Sequence, residues 1–149
     1  GKLYIDAASS AAGTTQATNT WLGFSLKQDT GNRGITTGDG RLDHSFLKAT
    51  APVGTCDLTF EDDSTASNEI TAFEAGTVRK IRLLFEGTSG SYGGYTKKTF
   101  IKDLVGQWEK FGPISDQDGD SIVTGTFRYG LYDATAGSAG KTSLIAPPY

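Results

Sequence analysis

The chain has 149 residues, a formal net charge of −3, one cysteine and one histidine. This length is sufficient for one domain that buries most of its unfolded surface without disulfides or a structural metal. One cysteine cannot form an internal disulfide, and one Cys with one His cannot supply a zinc site. The mild negative charge argues against a protein that coats nucleic-acid phosphates. The sequence contains no run of about twenty apolar residues, so no membrane-spanning helix is predicted.

The N-terminal region predicts two strands separated by a polar loop. The short apolar run Leu3–Ile5 is a plausible first strand. Residues 7–19 are small and polar, and we interpret them as a flexible loop. Trp21–Gln28 alternates in the way that is typical of a strand, and Trp21 at its start is interpreted as a packing residue. The apolar positions of this strand are Leu22, Phe24 and Leu26.

Residues 29–50 form a long segment with four glycines and few large apolar side chains. A segment of this length without its own core is uncommon and is usually functional or stabilised by a partner. We therefore predict a long loop, hairpin or arm that orders against another subunit. The sequence Asp43-His44-Ser45 does not indicate a catalytic triad, because neighbours along a chain point in different directions.

The middle of the chain predicts a strand followed by a short helix. Val53–Glu61 alternates strongly, so Cys56 is expected to be a core residue and not a nucleophile. Asp62-Asp63-Ser64 offers N-cap chemistry for a helix over residues 65–75, with Gly76 as the C-cap. Ile70 and Phe73 are expected to share its apolar face.

Strands are also predicted in the C-terminal half. One covers residues 77–86, with Ile81, Leu83 and Phe85 facing inward. A glycine-rich turn over residues 87–94 follows, and it lacks the lysine and spacing of a phosphate-binding loop. A last strand is expected over residues 141–145 after a glycine- and alanine-rich loop.

The rest of the chain is organised around residues 96–132, which predict a hairpin. Its two arms flank a polar break at residues 115–120 that contains the turn dipeptide Asp118-Gly119. The apolar residues of the first arm, 100–111, fit a helix face as well as a strand. We favour a strand because Gly106 lies in the middle of this arm. The second arm alternates clearly, with Val123, Gly125, Phe127, Tyr129 and Leu131 on one face.

Together these elements predict a mainly β fold. We expect seven or eight strands in an antiparallel β-sandwich or partly closed barrel, with one short flanking α-helix. Residues 1–149 are expected to form a single domain, with a long loop or arm at about 29–50.

No constellation of side chains predicts catalysis. Asp116, Asp118 and Asp120 alternate like the first half of an EF-hand, but Ser121 replaces the required glycine and Phe127 the bidentate glutamate. An acidic hairpin turn is therefore favoured over a Ca²⁺ site at these residues. Three aromatic residues could form a carbohydrate platform or could fill a core or interface: Tyr92, Tyr95 and Trp108. We expect a protein that is not an enzyme and uses no cofactor.

The motifs "GTVRKIRLLFEG" and "YTKKTFIKDLVGQWEKFGPISDQDGDSIVTGTFRYGLYD" carry a family resemblance. In the order of these features the chain resembles the tail tube, or major tail, proteins of long-tailed bacteriophages. The features are a short helix, the "RLLFEG" strand, a glycine loop, the "GQWEKF" segment, the "DQDGD" turn and the "VTGTFRYGLYD" strand. The resemblance implies subunits that form rings, usually hexameric, which stack around a DNA-conducting channel. It also implies a virion protein assembled in the host cytoplasm. Its partners would be itself, tape-measure and tail-completion proteins, and viral DNA in transit without specific binding.

The resemblance also suggests roles for particular residues. The segment 29–50 matches in position the long loop or hairpin with which such proteins contact other rings or subunits. Its candidate contact residues are Asp29, Asn32, Arg33, Asp39, Arg41, Asp43, His44 and Phe46. Asp57, Thr59 and Glu61 are candidates for the channel lining, because basic contacts would grip DNA phosphates. The alternative function is a non-catalytic β-sandwich binding module, either carbohydrate-binding or a virion decoration or fibre domain. Self-assembly would distinguish the two.

Overall fold

The computed structural model describes residues 1–29, 31–36, 38, 46–49, 53–90, 97–130 and 142–145. These residues form a mainly β structure with one helix, as predicted, and the helix α1 covers Ser64–Glu74. The strands are β1 (Lys2–Ala7), β2 (Gln16–Ala17), β3 (Trp21–Asp29), β4 (Asn32–Ile35), β5 (Phe46–Ala49), β6 (Val53–Glu61), β7 (Arg79–Glu86), β8 (Thr99–Phe111), β9 (Ser115–Gln117), β10 (Asp120–Tyr129) and β11 (Thr142–Ile145).

Nine of the described strands form one antiparallel sheet in the order β2-β1-β7-β8-β10-β6-β3, with β11 beside β8 and β9 beside β10. Strands β4 and β5 form a separate two-stranded sheet. The large sheet does not close, but it curves enough for the Phe24 ring on β3 to lie 5.3 Å from the Phe85 ring on β7. This architecture agrees with an open β-sandwich, one of the two predicted forms.

The core lies on the concave face of the sheet and follows from the period-two alternation of its strands. Each strand places every second side chain on that face. The helix α1 adds Ala66 to the same cluster. The fully buried apolar residues from the strands are Leu3, Cys56, Leu58, Phe60, Ile81, Leu83, Leu104 and Phe127.

The helix begins and ends as its sequence predicts. The Asp63 carboxylate accepts hydrogen bonds from the backbone N–H groups of Thr65 and Ala66, at 2.8 and 3.0 Å. At the other end Gly76 has a φ of +62°, and the N–H of Thr77 donates to the Ala72 carbonyl at 2.8 Å. These bonds satisfy backbone groups that a helix end leaves without intrahelical partners.

The buried face of α1 differs from the prediction. It carries Ala66, Glu69 and Ala72. Phe73 is only half-buried against the core, and Ile70 is half-buried as well. Small residues on the buried face let the helix approach the sheet closely, and the larger apolar residues lie at its margin.

The first arm of the predicted hairpin is a strand, so the favoured alternative is confirmed. Gly106 lies opposite Tyr129 where β8 pairs with β10, and a Cβ atom there would overlap the carbonyl oxygen of Arg128. The polar break differs in detail, because it contains the short strand β9, which pairs with the start of β10. The connecting turn has φ angles of +56° at Asp118 and +93° at Gly119, as a tight two-residue hairpin turn requires.

Most of residues 7–19 form a loop as predicted, but the interpretation of this loop as featureless is wrong. The loop contains β2, which pairs with β1. The buried Asp6 carboxylate also accepts hydrogen bonds from the backbone N–H groups of Gly13, Thr14 and Thr15, at 2.7, 3.2 and 2.7 Å. The Asp6 carboxylate thus helps to hold a loop that contains no large apolar side chain.

Three regions of the sequence analysis lie outside the described residues. They are residues 39–45, with the sequence Asp43-His44-Ser45, residues 91–96, with Tyr92 and Tyr95, and residues 131–141, with Leu131 and the glycine- and alanine-rich loop. Within the described part of the chain, no helix has the length and apolar character needed to cross a membrane.

Candidate functional site

The outer edge of β3 is the most conspicuous surface feature of the sheet. Among the described strands, β3 pairs only with β6. A register shift between Trp21 and Gly23 breaks its alternation. Leu22 lies in this bulge and is 58% exposed, and Phe24 is 42% exposed. The outer edge of this nine-residue strand is therefore paired with no described strand, and it presents apolar side chains to its surroundings.

Aromatic side chains support this edge from inside. The Trp21 ring lies 6.0 Å from that of Phe24 and 6.4 Å from that of Phe85. Phe85 in turn lies 6.1 Å from Phe100 on β8. The interpretation of Trp21 as a packing residue is confirmed, since it packs against the core. The cluster holds β3 in position where the sheet fails to close.

The opposite edge of the sheet is protected. The two-residue strand β2 covers part of β1. Beyond it, the N–H of Ile5 donates to the Thr15 carbonyl at 3.0 Å. The loop over residues 7–15 thus occupies hydrogen-bonding positions that a neighbouring chain could otherwise use. The two edges of the sheet therefore differ in their capacity to pair with another molecule.

The predicted arm is a hairpin in its described part. Strand β4 pairs with β5 and makes extensive contacts with no other described element. Phe46 is 54% exposed and Leu47 is 72% exposed. Arg33 lies directly opposite Lys48. The hairpin thus presents apolar and basic side chains that the described part of the domain does not cover.

Four of the predicted contact residues can be located. Asn32, Arg33 and Phe46 belong to this hairpin, and Asp29 ends β3. The Asp29 carboxylate accepts a hydrogen bond from the N–H of Gly31 at 2.9 Å. The other four, Asp39, Arg41, Asp43 and His44, lie outside the described residues.

The three candidate channel residues lie on β6 and alternate with its core residues. The Asp57 carboxylate accepts a hydrogen bond from the Thr126 hydroxyl at 2.6 Å. The Thr59 and Thr124 hydroxyl oxygens lie 3.1 Å apart, and Glu61 is exposed. This face of the sheet is polar, and its hydroxyl and carboxylate groups are held by bonds between neighbouring strands.

Asp116, Asp118 and Asp120 are all exposed at the β9–β10 turn. The Asp116 carboxylate accepts a hydrogen bond from the N–H of Gly119 at 3.2 Å, as a turn residue does. Among the described residues, no three His, Cys, Asp or Glu side chains are grouped as metal ligands would be. The geometry supports the favoured interpretation of an acidic hairpin turn.

Two residues whose side chains could react or bind a ligand lie in the core. Cys56 is fully buried, and burial, with a smaller effect from Asp57, raises the pKa of its thiol to about 12. Trp108 is 5% exposed and donates its Nε1–H to the Glu69 carboxylate at 2.8 Å. Cys56 is therefore a core residue as predicted, and Trp108 fills the core and cannot act as a carbohydrate platform.

Several polar contacts were not foreseen from the sequence. Glu69, on the buried side of α1, lies 3.1 Å from Arg79 as well as bonding Trp108. Arg82 forms a two-point contact with Asp103, at 2.6 and 2.7 Å. A glutamate at a helical position next to small apolar residues was the only available signal for the first contact. The register of β7 with β8, which places Arg82 opposite Asp103, creates the second contact.

Comparison of the sequence with models of known protein families gave no match, and a search of curated proteins gave none. The functional conclusion therefore depends on the residues and the fold.

Proposed function

We propose that this chain is a structural subunit that polymerises into a tube of the phage-tail type. Copies pair edge to edge into rings, and the rings stack around a channel through which DNA passes. The observation that carries the proposal is the outer edge of β3, which no described strand covers. Tape-measure and tail-completion proteins, transit of viral DNA and a place in the virion tail belong to the same proposal.

A long edge strand with exposed apolar side chains favours pairing with another chain. Monomeric β proteins avoid edge-to-edge association by shortening, charging or covering their edge strands. The β1 edge is covered in this way by β2 and its loop. Strand β3 is nine residues long and places Leu22 and Phe24 on the surface. A strand from a neighbouring copy would satisfy its backbone groups and cover both side chains, as strand addition does in other complexes.

The polar face of β6 suits the wall of a channel. On β6 it carries two carboxylates, Asp57 and Glu61, and the hydroxyl of Thr59, while the neighbouring strands add the cations Lys27 and Arg128 in register with Thr55. Basic groups would bind DNA phosphates by releasing counterions, and DNA would then be retained. At the Glu61 end of β6, where the residues in register with Thr59 and Glu61 carry no positive charge, a hydrated acidic surface would let DNA pass without such contacts.

The experiment combines negative-stain electron microscopy with sedimentation velocity on concentrated protein. The wild type is expected to form rings and hollow stacks. The double variant Leu22→Lys/Ser25→Lys is expected to remain monomeric, because lysines at two exposed positions of an edge strand oppose pairing while Phe24 stays in the aromatic cluster. Val78→Lys is the matched control, since Val78 is also a surface apolar residue, 37% exposed, but lies outside β3.

Two results would contradict the proposal. Rings formed equally well by the double variant would show that the β3 edge is not the contact. A wild type that stays monomeric at every concentration would favour a non-catalytic binding module. Thermal-shift screens with glycans and with Ca²⁺ would then test that alternative.

A further inference from the structure

Strand β1 is covered on its outer side by a short segment of its own chain. Its six residues pair with β7 along their whole length, but with β2 only at Leu3 and Tyr4. The N–H of Ile5 also donates to the Thr15 carbonyl at 3.0 Å. We call residues 8–17, which include β2, the cover. The β1 edge is therefore closed by a segment that makes only a short strand pair with it.

The cover is held mainly by polar contacts. The Asp6 carboxylate accepts hydrogen bonds from the backbone N–H groups of residues 13–15, and the Lys80 Nζ donates to the Ser10 carbonyl at 3.0 Å. Ala17 is the one buried residue of the cover. Water can replace such hydrogen bonds at a modest net cost, so the cover adds little to the apolar core that would prevent its release.

Release of the cover would leave the neighbouring groups with partners. Lys80 lies directly opposite Asp6 on β7, and Arg82, two residues further along, faces the same side of the sheet. These cations can compensate the Asp6 carboxylate, as a buried charge requires. The chain after the cover stays anchored, because the N–H of Glu61 donates to the Thr20 carbonyl at 2.7 Å. Loss of the cover is thus compatible with an intact β1 and β3.

The β1 edge and the β3 edge run in opposite directions. The path between them is β1-β7-β8-β10-β6-β3, and every pairing on it is antiparallel. An odd number of reversals leaves β1 antiparallel to β3. Strand β3 of one copy would therefore extend the sheet of the next copy as one more antiparallel strand beside β1, with the concave faces of both sheets on the same side.

The charged side chains of the two edges also agree. Lys2 and Asp6 alternate with the core residues of β1, and Lys27 and Asp29 lie on the corresponding face of β3. An antiparallel register with Lys2 opposite Asp29 pairs all six residues of β1 with β3. This register also places Asp6 diagonal to Lys27. Opposite charges at such positions stabilise a strand pair.

We propose that the cover is displaceable, and that β3 of one copy replaces it on the β1 edge of the next copy. In a free subunit the cover closes the edge that accepts β3. Binding of β3 exchanges the short pair of β1 and β2 for a six-residue strand pair. Because the contact joins two different edges, it repeats from copy to copy. The inference rests on the proposed function, for which it names the accepting edge and the segment that restrains association.

Gly13→Ala tests the restraint by loosening the cover. Gly13 has a φ of +89°, and a Cβ atom there would lie 2.7 Å from the Arg82 Nη1. The protein concentration at which half of the subunits associate should fall about tenfold. Gly119→Ala is the matched control, because Gly119 also has a positive φ, +93°, but its Cβ would meet no atom within 4 Å. The control should associate like the wild type.

A disulfide between the cover and β1 should have the opposite effect. Tyr4 and Gln16 are directly opposite each other. Because Ile5 bonds Thr15, they form a non-hydrogen-bonded pair, in which side chains lie closest. Oxidised Tyr4→Cys/Gln16→Cys should stay monomeric, and reduction should restore association. The buried Cys56 does not compete for the bond.

Adding the β3 edge substitutions identifies the strand that replaces the cover. Leu22→Lys/Ser25→Lys combined with Gly13→Ala should abolish the gain in association. Sedimentation velocity measures association, and circular dichroism checks that each variant is folded. Early association of Gly13→Ala, none in the oxidised disulfide variant and none in the triple variant support the inference. Association of the oxidised variant overturns it, and so does a Gly13→Ala variant that behaves like the control or a triple variant that behaves like Gly13→Ala.

Amide hydrogen exchange of the wild type decides the question if Gly13→Ala fails to fold. The N–H groups of Ile5 and Gly13 should exchange faster than the amides between β1 and β7, because the cover opens without global unfolding. Exchange of both groups at the rate of global unfolding would overturn the inference.

The same variants separate this inference from the proposed function. Chains that depend on release of the cover but form no rings or channel would support the contact and refute the tube. Rings and tubes that form with the disulfide closed would support the tube and refute the role of the cover.

Discussion

Glu69 provides the sharpest test of how the helix is attached to the sheet. It is 4% exposed, and its carboxylate accepts the Trp108 Nε1–H at 2.8 Å and lies 3.1 Å from Arg79. Replacing it with alanine leaves the indole N–H without its partner inside the core. It also leaves the Arg79 guanidinium without its anion, although that side chain is 21% exposed and partly hydrated.

The magnitude follows from these two contacts. A buried donor left without a partner costs about 1–3 kcal/mol. Removing one member of a fully buried ion pair costs about 3–5 kcal/mol, and the partial exposure of Arg79 reduces that figure. We therefore expect Glu69→Ala to lower the free energy of unfolding by about 2–4 kcal/mol. That is a large part of the roughly 5–15 kcal/mol of a typical domain.

Urea denaturation followed by tryptophan fluorescence measures this change. The urea midpoint should fall by on the order of 1–2 M. Glu69→Gln keeps an acceptor for the indole N–H and should lose about half as much. Glu74→Ala, an exposed substitution in the last turn of the same helix, should change stability by less than about 0.5 kcal/mol. If Glu69→Ala and Glu74→Ala are equally stable, the attachment described here is wrong.

Two further predictions concern the backbone. Gly106→Ala should destabilise the domain by about 1–3 kcal/mol, because its Cβ would overlap the Arg128 carbonyl. Gly23→Ala, whose Cβ meets no atom within 4 Å, should be nearly neutral in the same denaturation assay; equal effects would refute the close approach of β8 and β10. Burial acts to raise the pKa of Asp63, but hydrogen bonds led by that from the Ala66 N–H outweigh it, and the net pKa lies below the usual 3.8. The Asp63 cap therefore stabilises the fold above about pH 4 and is lost as the pH falls through its folded pKa. Asp63→Asn should show a shallower loss of stability in acid, and an identical pH profile would contradict this role.

Local features of the sequence predicted the elements well. Alternation over residues 53–61 and 120–129 identified β6 and β10, and Asp63 and Gly76 marked the ends of α1. The dipeptide Asp118-Gly119 identified the tight turn. Each of these signals depends on residues within about ten positions of one another, where backbone sterics and side-chain periodicity decide the outcome.

Features that depend on distant residues could not be predicted in this way. The loop over residues 7–19 seemed featureless because its holding group, Asp6, precedes it and acts through backbone N–H groups. The buried face of α1 includes Glu69, which its helical pattern does not predict. Glu69 is buried because it contacts Arg79 on β7 and Trp108 on β8. The bulge that exposes Leu22 arises from the pairing of β3 with β6.

The sequence by itself predicted a mainly β protein with one capped helix, a tight acidic turn and a long loop or arm at about residues 29–50. The tertiary structure decided which edge of the sheet is covered, which is open, and where the charges lie relative to one another. The physical reason is that strand order and register join residues far apart in the chain. The exposure of an edge or the separation of charge is a property of that pairing, and no local pattern specifies it.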